Sequence, residues 1–411
     1  MAKTVGKLFR PVVIEAELRE LVDSVLLASS PAAPSAVAAR KRIREIAANG
    51  KCYLYAVEIR NYLEEKTRVG SEPCLFTLAG DLFLDALEAN RADMGPNFFK
   101  DHYSGMMGCY RDGEDRAGAV EAPLYCFDLA LLKAMEFSME SSAPQAPPSG
   151  LLPAFIPVEN ADRRTRVQQC LRLAEDMLGD AVQQVLNTPK EEIPKGLIDF
   201  VATSRERLSD VLKRWGRFLR EAPAPEPSEA YLQAALDVAR EARHLPLAAC
   251  IEERLGLLLD PRREGLRPAT RHFYDAADLF VGQGNLDRDS DAYHTAQRRY
   301  ARALKLFGAI SDRTAIAKAL VEQARLYIRK GGDGEHIRES LHKAVSLVVA
   351  HRNGLPPGRL PNLDDDEVLA FLESKGYLTE AKAYEDSIST PSETAPNPLE
   401  EAKLAFPDFF E

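Results

Sequence analysis

No apolar run in this chain approaches the ~18 residues a helix needs to cross a bilayer, so no membrane span is expected. There is no C-x-x-C among its six cysteines, at 52, 74, 109, 126, 170 and 250. That spacing predicts reduced, mostly buried thiols of a cytoplasmic protein rather than disulfides. Catalytic signatures are missing as well: no H-E-x-x-H, no G-x-x-x-x-G-K-[ST], no G-x-S-x-G, and no G-x-G-x-x-G on a strand-to-helix turn. No catalytic, cofactor-binding or metal residue is therefore assigned, and no cofactor is expected. Positive charge is in deficit, with 53 Lys and Arg against 63 Asp and Glu for a net charge of −10. This works against unaided binding to a phosphate backbone, so nucleic acid is not expected as a partner. The stretch Pro11–Ala16, behind Lys3, Lys7 and Arg10, is short and interrupted by Glu15. It lacks the apolar core of a signal peptide.

What is present is a helical pattern. The 411 residues are enough for two or three domains, or for one extended solenoid with a helical cap. Helical spacing predicts elements over Glu15–Leu27, from Ser35 as a cap to about Asn49, over Tyr53–Glu65 and over Cys74–Asn90. Together residues 1–140 read as a helical N-terminal module. Within it, 97–118 is the least regular part, and an apolar helix resumes at Pro123. Residues 141–161, rich in Ser, Ala and Pro, read as a linker. Residues 162–227 follow as a segment of long helices, the first with Val167, Leu171, Ala174, Leu178, Ala181 and Val185 on one stripe, the second over Pro194–Glu221. Residues 228–386 divide into helical hairpins: Ser228–Arg243 with Leu245–Leu259, Arg267–Val281 with Ser290–Phe307, Asp312–Arg329 with Glu335–Ala350, and Asp364–Lys375 with Leu378–Asp386. The tail, 387–411, is expected to be disordered, acidic and aromatic.

Two of these hairpins carry the same pattern. Ala277-x2-Phe280-x3-Gly284 returns as Ala324-x2-Tyr327-x3-Gly331, and Ala296-x3-Tyr300-x2-Ala303 returns as Ile337-x3-Leu341-x2-Ala344. Small residues let paired helices approach, the aromatic fills the gap to the next hairpin, and the glycine frees a turn. These residues resemble tetratricopeptide repeats, most strongly over 267–350 and more weakly from 228. Two departures stand out: an insertion at Leu286–Asp291, and no proline after the second helix at either Phe307–Asp312 or Ala350–Asn353. The resemblance implies an all-α fold in which hairpins stack as a solenoid with a concave binding face. On this chain that face carries Arg271, Tyr274 and Asp278, then Lys318, Val321, Arg325 and Arg329. Tyr274 and Asp278 stand where the family's clamp for acidic C-terminal peptides places Lys and Asn. Arg271, Tyr274, Lys318, Arg325 and Arg329 are the implied groove for a protein or peptide partner, and their charge suits an acidic one. The alternative is a solvated helix face, with Glu322 neutralising Arg325 or Arg329 at helical spacing. Leu369-x2-Leu372-x3-Gly376-Tyr377-x3-Ala381-x2-Tyr384 resembles a LisH-type dimerisation hairpin, with Glu380 in place of the usual threonine. A capping hairpin of the solenoid accounts for the same residues.

Three further groups of residues have two readings each. His102, Cys109 and Asp112 are a nucleophile, base and orienter if the fold joins them, and a packed aromatic turn if it does not. His336 and His342, six apart, fall on different sides of a helix and make a poor metal pair. In the tail, Leu404, Phe406, Phe409 and Phe410 among carboxylates look like a docking motif for a partner, or for the chain's own helices. The expected function is thus a non-catalytic scaffold or adaptor, with homo- and hetero-oligomeric states both open. The alternatives are an enzyme or effector with its site around 97–118 regulated by the repeats, and a structural subunit of a larger helical complex.

Overall fold

The computed structural model describes residues 16–28, 33–47, 50–66, 73–89, 95–139, 163–221, 228–259, 266–331 and 334–389. The linker at 141–161 and the tail anchors Leu404, Phe406, Phe409 and Phe410 lie outside the described residues. Among the described residues there is no strand, and the protein is all-α. Those residues form two compact units, which meet in sequence at Ala119/Val120.

The first unit holds α1 (Ala16–Leu26), α2 (Pro34–Ala47), α3 (Cys52–Lys66), α4 (Pro73–Ala89) and α5 (Pro96–Asp112). Helix α1 packs on α2, and α4 lies between α3 and α5. Helix α4 is apolar nearly all round and is the centre of this unit, as expected of a helix with neighbours on every side. Its one buried charge, Asp81, is held by Arg44 at 2.7 Å and by the Tyr110 hydroxyl at 2.9 Å. The irregular stretch 97–118 proves to be α5 and a tight turn. Glu114 takes a positive φ of 52°, and the Asp115 carboxylate accepts from the Gly118 amide at 2.8 Å. That bond starts α6 (Arg116–Met139) earlier than Pro123, which sits inside the helix.

The second unit begins within α6 and continues with α7 (Arg163–Asn187), α8 (Lys195–Glu221), α9 (Glu229–Glu241), α10 (Leu245–Leu258), α11 (Leu266–Asp289), α12 (Tyr293–Ala309), α13 (Arg313–Arg329), α14 (Gly334–Arg352), α15 (Asp365–Ser374) and α16 (Leu378–Ser389). From α7 to α14 each helix packs on the next in sequence, and α14 packs on both α15 and α16. Val120 and Leu124 of α6 join Ala181, Leu197 and Val201 in one apolar cluster.

The repeated pattern occupies the interior. Ala277, Ala296, Tyr300, Ala303, Ala324, Leu341 and Ala344 are all buried. Its glycines do different things. Gly284 lies within α11, where an added Cβ would stand 2.8 Å from the Tyr300 ring. It permits close approach and makes no turn; the segment 286–291 is therefore mostly the last turn of a longer α11 rather than an insertion between helices. Gly331 is the turn residue, with φ +64°. The last hairpin lays Val368, Leu372, Ala381 and Tyr384 against Ala324, Ile337, Leu341 and Val345, so its apolar face is consumed inside the chain.

Candidate functional site

The five groove residues lie on two helices, Arg271 and Tyr274 on α11 and Lys318, Arg325 and Arg329 on α13. They divide into two groups by what they touch. Arg325 binds Glu322 at 2.7 Å and the buried Glu380 of α16 at 2.5 Å. Arg329 binds Asp291 at 3.2 Å and Asp289 at 3.6 Å. Helical spacing anticipated Glu322, but the partners from α16 and from the end of α11 are too distant in sequence to read. Both guanidinium groups act as internal fasteners beside a shallow depression lined by Ile328, Gly376, Leu378 and Thr379. Arg271, by contrast, is 83% exposed, with only Asp275 at 3.8 Å. Lys318 is exposed, and Tyr274 is 39% exposed with its ring edge-on to Phe307 at 5.5 Å. These three remain available to a partner.

His102, Cys109 and Asp112 share α5, yet the helix rise separates His102 from Cys109 by roughly 10 Å, too far for a base to reach a thiol. His102 stacks on Tyr53 with ring centres 4.0 Å apart, its Nδ1 on the Phe98 carbonyl at 2.9 Å. Burial lowers its pKa to about 4. Burial also pushes the Cys109 thiol up to about 12, outweighing the pull of Arg60. A neutral thiol and a neutral imidazole packed among aromatics give no nucleophile near pH 7.

The densest group of buried polar side chains lies elsewhere and was not assembled from the sequence. Asp128 of α6 receives both His244, whose Nε2 is 3.1 Å away, and Arg299 of α12. His244 Nδ1 accepts from the Leu247 amide at 3.2 Å, capping α10. With that nitrogen occupied as an acceptor, the proton sits on Nε2 and points at Asp128. His244 is therefore a positioned donor with no lone pair left for a base. Burial alone would raise the Asp128 pKa, but His244 and Arg299 reverse this and hold it below the ordinary value. Glu121 caps α12 from across the interface, its Oε2 accepting from the Thr295 amide at 3.0 Å; Ala292, at the N-cap, has no side chain to do so.

Asp287 completes the group. Its Oδ1 accepts from Gln283 at 2.6 Å, while its Oδ2 faces Arg299 Nε at 3.8 Å. Burial raises its pKa to about 7, only partly offset by Arg299 and Gln283, with Asp128 and Glu121 adding repulsion. Polar contacts continue outward: Arg240 and His272 lie 2.6 Å from the Glu252 carboxylate, and Arg302 holds Glu253. The signal that could have found these residues is compositional. Asp128 interrupts the apolar run Ala122–Leu132 of α6, and Glu252–Glu253 interrupt another apolar run in α10. A charge on a buried face requires a partner somewhere in the fold. No protein-family model matches this chain, and no curated protein matches it by sequence.

Proposed function

We propose that the chain is a non-catalytic interaction scaffold whose stacked helical hairpins, similar to tetratricopeptide repeats, bind a protein or peptide bearing an acidic segment. The observation that carries this reading is the register of the two matching hairpins. In both, the repeated alanines are buried between neighbouring helices, and Arg271, Tyr274 and Asp278 of α11 and Lys318 of α13 are left outward. A hairpin that spends its apolar stripe on its neighbours has only a polar face to offer a ligand. On that face the cations not tied by short ion pairs are Arg271 and Lys318, with Tyr274 beside Arg271 as an amphipathic anchor. Arg325 and Arg329 drop from the contact set to supporting roles. The packed surroundings of Cys109 and His102 favour this reading over catalysis in the N-terminal module.

The test is selection of acidic peptides from a display library on the full chain, followed by affinities for the selected sequence. Charge reversal of Arg271 and Lys318 together is expected to weaken binding by about tenfold or more, the order of one or two charge-assisted contacts. Unchanged affinity in that double variant, or selection of peptides without acidic character, would sink the groove assignment.

A further inference from the structure

Between α6, α8, the α9–α10 turn, α11 and α12 lies a cleft of about 100 Å³. Two polar atoms of residues that line it, Arg299 Nε and Asp287 Oδ2, have no hydrogen-bond partner, and those residues are only 6% and 3% exposed. At 3.8 Å they are too far apart to bond each other. An oxygen seated about 2 Å to the side of the line joining them would be within ordinary hydrogen-bond distance of both. While Asp287 is ionised, that atom must accept from the guanidinium and donate to the carboxylate. A carbonyl or carboxylate oxygen only accepts and an ammonium only donates, whereas a hydroxyl does both. A hydroxyl also serves either protonation state of Asp287, because it can turn to accept when the carboxyl carries the proton.

The rest of the lining restricts the ligand further. Leu124, Phe200, Leu208 and Leu286 offer apolar wall to a short carbon skeleton. The deep carboxylates Glu121 and Asp128 oppose an anion inside. At the mouth two exposed arginines line the cleft, Arg207 and Arg243, with Arg207 donating to the Arg243 carbonyl. Cations outside and a donor–acceptor pair inside suit a molecule with an acidic end and a hydroxyl end. One water needs only about 10–15 Å³ of such volume, so the cleft has room for a compound of roughly three to five carbons.

We propose that this cleft binds a small hydroxy acid, its hydroxyl seated between Arg299 and Asp287 and its carboxylate held at the mouth by Arg207 and Arg243. The site is separate from the peptide groove and does not depend on it.

Saturation-transfer NMR on the full chain, with glycerate, lactate and malate as probes and glycerol and propionate as controls, tests the assignment. At least one hydroxy acid is expected to bind saturably, with propionate and glycerol about tenfold weaker or worse, since each lacks one of the two anchored ends. Arg243→Glu, a surface change, should weaken the bound hydroxy acid by about tenfold with the thermal midpoint unmoved. Asp287→Ala should abolish binding in a chain whose circular dichroism is unchanged; if that variant does not fold, Arg243→Glu and the two controls decide. No binding by any of the three hydroxy acids would overturn the proposal and leave a water site. Equal binding of propionate, or an Arg243→Glu affinity equal to the parent's, would overturn it too.

Discussion

His102 in the first unit and Asp128 in the second are buried in opposite ways. Around His102 the neighbours are rings: Tyr53 stacked at 4.0 Å, Phe98 at 4.4 Å and Phe83 at 6.3 Å. Desolvation has no charged partner to oppose it there, and the imidazole stays neutral down to about pH 4. Around Asp128 the neighbours are His244 and Arg299, and the carboxylate stays ionised although it is buried. The surroundings of His102 remove charge and those of Asp128 pair it. The paired interior gains specificity of register, since Asp128, His244 and Arg299 come from three separate places in the chain and meet in one arrangement. The apolar interior tolerates substitution by shape alone.

The largest expected effect breaks the paired side. Arg299→Ala would strand Asp128 without its guanidinium and leave Asp287 facing no cation. Removing one partner of a buried pair costs about 3–5 kcal/mol, the full desolvation of what remains. Urea denaturation of the full chain should show a midpoint lowered accordingly. A loss under about 1 kcal/mol would mean the cluster is solvated and the contrast between the two interiors false.

An intermediate effect comes from Asp287, the one carboxyl in the paired cluster that burial dominates. Its folded pKa of about 7 lies above the reference value of 3.8, so the folded state holds its proton more tightly than the unfolded chain does. Stability from this group is therefore full below about pH 4 and is lost as pH rises through 7. Asp287→Asn removes the ionisation. It should stabilise the chain by about 1–3 kcal/mol at pH 8 and by nothing at pH 4. Thermal melts of parent and variant at the two pH values give the difference directly; a gain of equal size at both would show that the titration is not the cause.

Most of this architecture was legible in periodicity. The hairpins from Ser228 onward fall within two or three residues of their predicted ends in most cases, because small residues and capping residues such as Ser228, Asp312 and Asp364 mark them locally. Helix α11 was the exception: Gly284 reads as a turn residue, and only the Tyr300 ring packed against it explains a glycine in mid-helix. The same limit applied to the site. The resemblance to tetratricopeptide repeats placed groove candidates on α11 and α13, but whether an arginine is available depends on Glu380, 55 residues beyond Arg325. Conversely, His102, Cys109 and Asp112 are neighbours in sequence and do no joint chemistry, while Asp128 and Arg299, 171 residues apart, form a buried pair. Charge pairing across the fold leaves no local trace except a charge on an otherwise apolar helix.

The smallest effect at neutral pH, and the sharpest contrast with Arg299, comes from His102→Phe. The ring packs among aromatics and Nε2 is a buried polar atom without a partner, so a phenyl group of similar shape loses only the Nδ1 bond to the Phe98 carbonyl. Stability at pH 7.5 should change by no more than about 1 kcal/mol. The difference appears on acidification. The folded pKa of about 4 lies below the reference 6.5, so the unfolded chain takes up the proton first. The stability tied to this group is complete above about pH 6.5 and is lost as pH falls toward 4. The phenylalanine variant has nothing to titrate there and should outlast the parent by about 2–3 kcal/mol at pH 4. If parent and variant instead lose stability in parallel between pH 6.5 and 4, His102 is already protonated in the folded chain. A charged imidazole would then have to sit buried against three aromatic rings, and the contrast with the paired carboxylate of Asp128 would fail.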